Sequence, residues 1–402
     1  MFEIVKSGNV TSPKGYIAGA TYAGIKSFAE DALDIGILAS EKLAAVAGTF
    51  TTNKVVSPSV TVTKSRVQIG TSMGVVANSG CANTCVGSQG LKDAEEMAGL
   101  ASKQINASEH EMLVCSTGII GVELPMALVR QHIGNIHLDS SSGSSFAKAI
   151  MTTDTMSKEV AVAIKIGEKE VVIGGAAKGS GMIHPNMATM LAFISTDAQI
   201  EPNLLKSFLK KSISESFNMI DIDGDQSTND AVLIFANGMS GVTFDIGDSG
   251  EAIIFQEALT YVCVELAKAI VRDGEGSNRL IEVVVKGASS EVAAKNAARE
   301  ITSSTLVKAM VHGLDPNWGR IMMALGKSGV DFEENNVDVF ISGIHVVHDG
   351  CSIPYLADAV VSSMNVPEVK FEVNLNTGNF EAKAWGCDLT EEYVTFNSAY
   401  ST

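Results

Sequence analysis

Lys178-Gly-Ser-Gly-Met-Ile-His-Pro-Asn-Met-Ala-Thr-Met-Leu-Ala-Phe-Ile-Ser-Thr-Asp197 is the run from which the rest of the chain is read. Its first half reads as a loop, because Gly179 and Gly181 are permissive and Pro185 fixes one φ and removes a donor. Its second half, Thr189 to Thr196, is apolar and reads as a buried strand. A hydroxyl residue, Thr189, therefore stands where a Gly/Pro loop enters a strand, with the small Ala188 before it. That arrangement suits a threonine nucleophile. If the Ala188–Thr189 bond were cut, Thr189 would carry a free α-amine, and an amine beside the hydroxyl can serve as its general base. The same pattern also fits a threonine that merely opens a strand, a position threonine favours.

The chain has 402 residues, 46% hydrophobic and 19% charged, which is a globular composition with length for a large core. The net charge is −17, a field that repels phosphate backbones and makes nucleic acid and anionic membranes poor partners. Met1 to Gly8 lacks a basic start followed by an apolar run, and no apolar stretch reaches the ~18 residues of a spanning helix. These features lead us to expect a soluble, cytoplasmic protein. The six cysteines are scattered and fit reduced thiols. Cys81 and Cys85 lack a second pair or a nearby His, and His345 and His348, three apart in a Val/Ile-rich run, would face opposite sides of a strand. No metal site is expected.

Strand-like and helix-like segments interleave, so the class is mixed α and β. Asp34 to Ala39, Leu43 to Thr52, Met73 to Asn78 and Glu111 to Cys115 read as strands, and Leu91 to Ile105 has helical spacing. The Glu111 strand runs into Ser116-Thr-Gly118, where a Thr-Gly pair could present donors to an oxyanion or form an ordinary turn. Thr152-Thr-Asp-Thr155 could bind a polar ligand or cap a helix. Glu159–Ile166 and Glu170–Gly174 read as a hairpin, Pro202 to Phe217 as a helix, and Ala231 to Ala236 as a buried strand. Asp223 to Asp230 imitates the start of a calcium loop but lacks its sixth-place Gly and twelfth-place Glu, so calcium is set aside. Glu251 to Val271 and Ser289 to Ala309 read as helices, and Leu280–Lys286, Val337–Ile341, Val369–Leu375 and Phe380–Trp385 as strands.

Taken together, the motifs resemble one family. The run from Lys178 to Phe193 is similar to the signature of the ornithine acetyltransferases, the glutamate N-acetyltransferases of arginine biosynthesis. Phe50-Thr-Thr-Asn53, Asn78-Ser-Gly80, Ser116-Thr-Gly118, Met151 to Thr155, Asp223 to Asp230, Asp273-Gly-Glu275, His312 to Arg320 and Asn397 to Thr402 agree in chain order. Cys81 departs from the pattern, standing where relatives usually have Asn.

The resemblance implies a precursor that cuts itself before Thr189 into an α-chain of 1–188 and a β-chain of 189–402, usually assembled as an α2β2 heterotetramer. It implies an αββα core of the ornithine acetyltransferase and aminopeptidase type, which we place at 1–195 with 386–402. Smaller α/β lobes would occupy 196–279 and 280–385. Thr189 would attack the acetyl group of N-acetylornithine, Thr117 and the Gly118 N–H would meet the oxyanion, and glutamate would then collect the acetyl group. Thr153, Lys178, Thr189, Glu275, Asn397 and Thr402 would contact substrate. No cofactor is implied, although some relatives also accept acetyl-CoA as a donor. Two other readings remain at this stage: a hydrolase that passes the acyl group to water, and an acidic binding protein that keeps the fold without the chemistry.

Overall fold

The computed structural model describes residues 2–26, 32–184, 190–244 and 249–399. Eighteen strands and eleven helices are found there. The first sheet has nine strands: β1 (Phe2–Ile4), β2 (Tyr16–Thr21), β3 (Ile35–Phe50), β4 (Thr71–Asn78), β5 (Met112–Ser116), β6 (Lys158–Ile166), β7 (Lys169–Lys178), β8 (Leu191–Thr196) and β11 (Ala231–Ala236). The second has seven: β10 (Ile220–Asp221), β13 (Leu280–Ala288), β14 (Asp338–Ile341), β15 (Ile344–His348), β16 (Cys351–Ser352), β17 (Glu368–Asn374) and β18 (Phe380–Cys387). A short ribbon joins β9 (Gln199–Ile200) to β12 (Thr243–Phe244).

The two runs read separately as Asp34–Ala39 and Leu43–Thr52 are one long strand, β3. Its first half pairs with β2 and β4, its second half pairs with β11, and its register against β4 shifts between Ala39 and Ala44. That irregularity lets the sheet double over into two layers. The alternation of side chains then does the sorting, since successive residues of a strand point to opposite faces. Leu191 and Phe193 of β8, Leu233 and Phe235 of β11, Val75 of β4 and Leu113 of β5 meet in one cluster between the layers. Ala192, Ile194, Val232 and Ile234 face the other way, onto α5 (Pro202–Ser214) and α6 (Ser249–Arg272). On the opposite outer face, Val76, Met112 and Val114 pack on α1 (Pro58–Val67), α2 (Gln89–Gln104) and α3 (Met126–His132). The result is an αββα sandwich. α4 (Gly143–Ala149) closes one end of the inner layer, with Phe146 edge-on to Phe193 at 5.1 Å.

One expected boundary is corrected. Residues 196–279 are no separate lobe, because β11 is hydrogen-bonded between β8 and β3 and α5 and α6 cover the sandwich. An apolar six-residue strand announces itself locally, but its neighbours lie far away in the chain. The second sheet occupies 280–387 with β10 added at its edge. On it pack α7 (Glu291–Ser303), α8 (Thr305–His312), α9 (Gly319–Gly326) and α10 (Ala357–Met364). The helix expected over Ser289–Ala309 is two helices, broken where Ser304 turns extended and caps α8 by accepting from Val307 N–H. The last helix, α11 (Glu391–Ala399), returns toward the first sheet.

A second correction concerns His345 and His348. β15 carries one more residue than β14 between the Val339–Val347 and Phe340–His345 pairs. This bulge breaks the period of two, and the two imidazoles come to the same side, with ring centres 5.5 Å apart. The reason for setting a shared ligand aside therefore fails.

Candidate active site

The first sheet ends in a row of polar residues. β5 delivers Ser116 and then Thr117, β7 delivers Lys178, and the loops after α4 and α6 deliver Thr153 and Glu275. Thr117, Gly118, Thr153, Lys178, Glu275 and Asn397 all line one cavity of about 530 Å³. A larger groove of about 1090 Å³ along α1 and α2 shares no residue with it. Ala188, Thr189 and Thr402 lie outside the described residues.

Thr117 and Gly118 are held by backbone contact with the loop after β4. Thr117 N–H donates to Asn78 O at 3.0 Å, and Ile119 N–H to Gly80 O at 3.3 Å. Gly118 has φ +131°, and a Cβ there would sit 2.3 Å from the Gly80 carbonyl carbon, so only glycine fits this approach. Cys81 is buried in the same turn, and its thiol donates to Val122 O at 3.1 Å. Its small side chain fills the position without reaching the cavity lining.

Lys178 is only 4% exposed, and its Nζ donates to Thr117 Oγ1 at 3.3 Å. Burial pushes the ammonium below its usual range and Lys158 adds to this, while Asp154, Asp230 and Glu275 oppose the shift. Glu275 is a hub. Its carboxylate accepts from Thr153 Oγ1 at 2.7 Å and from Asn397 Nδ2 at 2.8 Å, and its own N–H donates to Ser180 O at 2.8 Å. The tail helix is thus tied to the cavity through Asn397.

Several contributors were not singled out from sequence. Lys26 lines the cavity, its Nζ donating to Leu33 O and Met151 O, and supplies a second cation. Asp154 accepts from Gly179 N–H at 2.7 Å and pairs with Lys158, which also pairs with Asp273 at 2.6 Å. Burial would raise the Asp154 carboxyl, but the Lys178 and Lys158 cations and the Gly179 N–H hold it down at about 2. Asn229 donates to Ala82 O at 2.6 Å and Ser116 O at 2.8 Å, joining the two loops beside Thr117. Asp230 accepts from the N–H of Met190, the residue following Thr189, at 3.0 Å. Burial lifts the Asp230 carboxyl well above its usual range against the pull of that N–H and of Lys178. Asp230 belongs to a motif quoted above, but nothing local marks which of its residues turn inward.

Chemically, the cavity offers two cations for carboxylates, one carboxylate for an ammonium group and a hydroxyl polarised by a buried lysine.

The sequence matches the model of the ArgJ family over residues 17–402. It is 44% identical over 400 residues to the arginine biosynthesis bifunctional protein ArgJ of Dehalococcoides mccartyi, covering 100% of this chain and 99% of that one. It is 45% identical over 415 residues to the glutamate N-acetyltransferase of Methanocaldococcus jannaschii, covering 99% and 100%. Among solved structures, the arginine biosynthesis bifunctional protein ArgJ of Bacillus halodurans superimposes with a TM-score of 0.50 at 38% identity. The match takes in 51% of this chain and 97% of that one.

Proposed function

The chain belongs to the ArgJ family, and from that premise we propose that it is an acyltransferase that moves the acetyl group of N2-acetyl-L-ornithine to L-glutamate. The observation that carries this reading is the convergence of Thr117, Gly118, Thr153, Lys178, Glu275 and Asn397 on one cavity. The substrates suit its charges. Lys178 and Lys26 match α-carboxylates, and Glu275 matches the δ-ammonium of ornithine.

Thr189 is the nucleophile, freed by cleavage of the Ala188–Thr189 bond. Its hydroxyl adds to the acetyl carbonyl while its own α-amine takes the proton. The oxyanion meets Thr117 Oγ1, which Lys178 polarises, and the Gly118 N–H. Collapse of the adduct expels ornithine, whose nitrogen receives the proton, and leaves acetyl-Thr189. The glutamate amine then attacks the acetyl carbon and gives its proton to the Thr189 amine, and the bond to Thr189 Oγ breaks as that oxygen takes the proton back, releasing N-acetylglutamate. The buried Lys178 cation disfavours a second positive charge nearby, which helps keep the Thr189 amine neutral. Met190 and Leu191, the next residues in the chain, are anchored by Asp230 and by pairing of Leu191 with Lys178. The matched Bacillus chain is about half the length of this one, the size a cut near the middle would produce. No cofactor is needed for these steps. Thr402 completes the substrate contacts, and the two products of cleavage assemble as α2β2 in the cytoplasm.

Intact mass and N-terminal sequencing test the first step, with acetyl transfer assayed on the same sample. Wild type should give two chains, one beginning Thr-Met-Leu-Ala, and transfer acetyl to glutamate. Thr189→Ala should stay one chain and show no transfer, and normal cleavage in that variant would remove Thr189 from its role. Acetate released as fast as N-acetylglutamate would favour a hydrolase. Incubation with acetyl-CoA and glutamate alone separates one donor from two.

A further inference from the structure

Acetyl transfer makes no use of the β14–β15 hairpin at the edge of the second sheet, yet this hairpin gathers three donors. Asp338 Oδ1 lies 2.8 Å from His348 Nδ1 and 3.6 Å from His345 Nε2. The three atoms all fall within 4.8 Å of one another. A tetrahedral ion with bonds of ~2.0 Å holds its donors about 3.3 Å apart, a spacing that the two measured separations bracket. The bulge in β15 is what creates the cluster, by turning both imidazoles to the face of Asp338.

The surroundings hold each donor in a ligand's orientation. Asn376 Nδ2 donates to Asp338 Oδ2 at 3.0 Å, and Asp338 Oδ1, which faces the histidines, also accepts from Asp349 N–H at 3.3 Å, so both carboxylate oxygens are held in place. His348 Nδ1 and Asp338 Oδ1 share a hydrogen bond at 2.8 Å, whose proton an incoming ion would replace, and the Asp349 carboxylate lies 3.5 Å from His348 Nε2, where it can hold the proton that Nε2 then carries. His345 is stacked on Phe340 with ring centres 4.3 Å apart at 14°. Its Nε2 is buried and has no hydrogen-bond partner among the described residues, a cost that a bonded ion would remove.

We propose that Asp338, His345 and His348 bind one divalent transition-metal ion of the zinc class. Two imidazoles and one carboxylate suit zinc, cobalt or nickel, whereas magnesium and calcium prefer shells of oxygen. His348 is exposed, so water completes the shell. None of the three lines the acetyl-transfer cavity. The ion fastens β14 to β15 near the sheet edge and takes no part in the chemistry.

The test is a calorimetric titration of chelator-treated, full-length protein with zinc chloride in the presence of millimolar magnesium. One saturable zinc per chain is expected. His348→Ala removes an exposed ligand, and His345→Phe keeps the stacking on Phe340 while deleting Nε2. Each should weaken zinc binding at least ~10-fold, with the metal-free melting temperature and acetyl transfer unchanged. Zinc should raise the melting temperature of wild type and of neither variant. No saturable binding, undiminished binding in both variants, or displacement by magnesium would overturn the proposal.

Discussion

Thr117 is where a single atom can be weighed. Its Oγ1 receives the Lys178 donor in a site from which Lys178 is almost wholly screened from water. If Thr117 meets the oxyanion, Thr117→Ala should lower kcat about 10²-fold, the usual loss for one such donor. Cleavage of the chain and the melting temperature serve as controls. An unchanged kcat would take Thr117 out of the chemistry. The candidate residues at this site were picked out by the resemblance of their motifs, because locally a Thr-Gly pair after a strand also fits an ordinary turn and a lysine before a Gly loop also fits a solvated loop. Lys26, Asp154 and Asp230 were not, because each acts only through partners that the fold supplies. Thr153 and Glu275 show the distance involved, being hydrogen-bonded across 122 residues of chain.

At the scale of elements, one buried cluster joins three of them. Asp154 precedes β6, Lys158 opens it, Asp273 follows α6, and Gly179 follows β7. The Asp154 carboxyl, held at about 2 in the folded chain against an ordinary 3.8, makes a stabilising contribution with a definite sign. A depressed carboxyl stabilises above its unfolded pKa, so this contribution is complete above about pH 4 and is lost as pH falls through about 2. Asp154→Asn should cost about 3 kcal/mol at pH 7, since it strands Lys158 and Lys178 with fewer partners. Melting curves of both proteins should converge as pH drops below 3. A gap that persists at pH 2 would show that packing, not charge, sets the loss. The same scale explains the two misread segments. The bend in β3 and the bulge in β15 both arise from register against a partner strand, which no window of sequence contains.

Across the whole molecule, the proposed cut at 188/189 would divide the strands of one continuous sheet between two chains, β1 to β7 on one side and β8 and β11 on the other. β7 pairs with β8 from Ile173–Thr196 to Lys178–Leu191, and β3 pairs with β11 from Phe50–Ala231 to Ala45–Ala236. The inner cluster takes Leu38 and Leu113 from one side of the cut and Phe193 and Leu233 from the other. The two products should therefore co-elute on size exclusion in buffer and separate only in denaturant. Separation in buffer would mean that the shared sheet is not maintained after cleavage.

The sequence by itself determined the mixed α and β class, most strands and helices, the family, and the residue types of the site. These follow from hydrophobic period, turn chemistry and motif order, all of which are written locally along the chain. The tertiary structure alone decided that 196–279 belongs to the sandwich, that the tail helix reaches Glu275 through Asn397, and that two histidines of one strand share a face with Asp338. The physical reason is common to all three. Each depends on hydrogen-bond register or contact between segments far apart in the chain, and such pairings are selected by the packing of the whole core rather than by any segment's own preference.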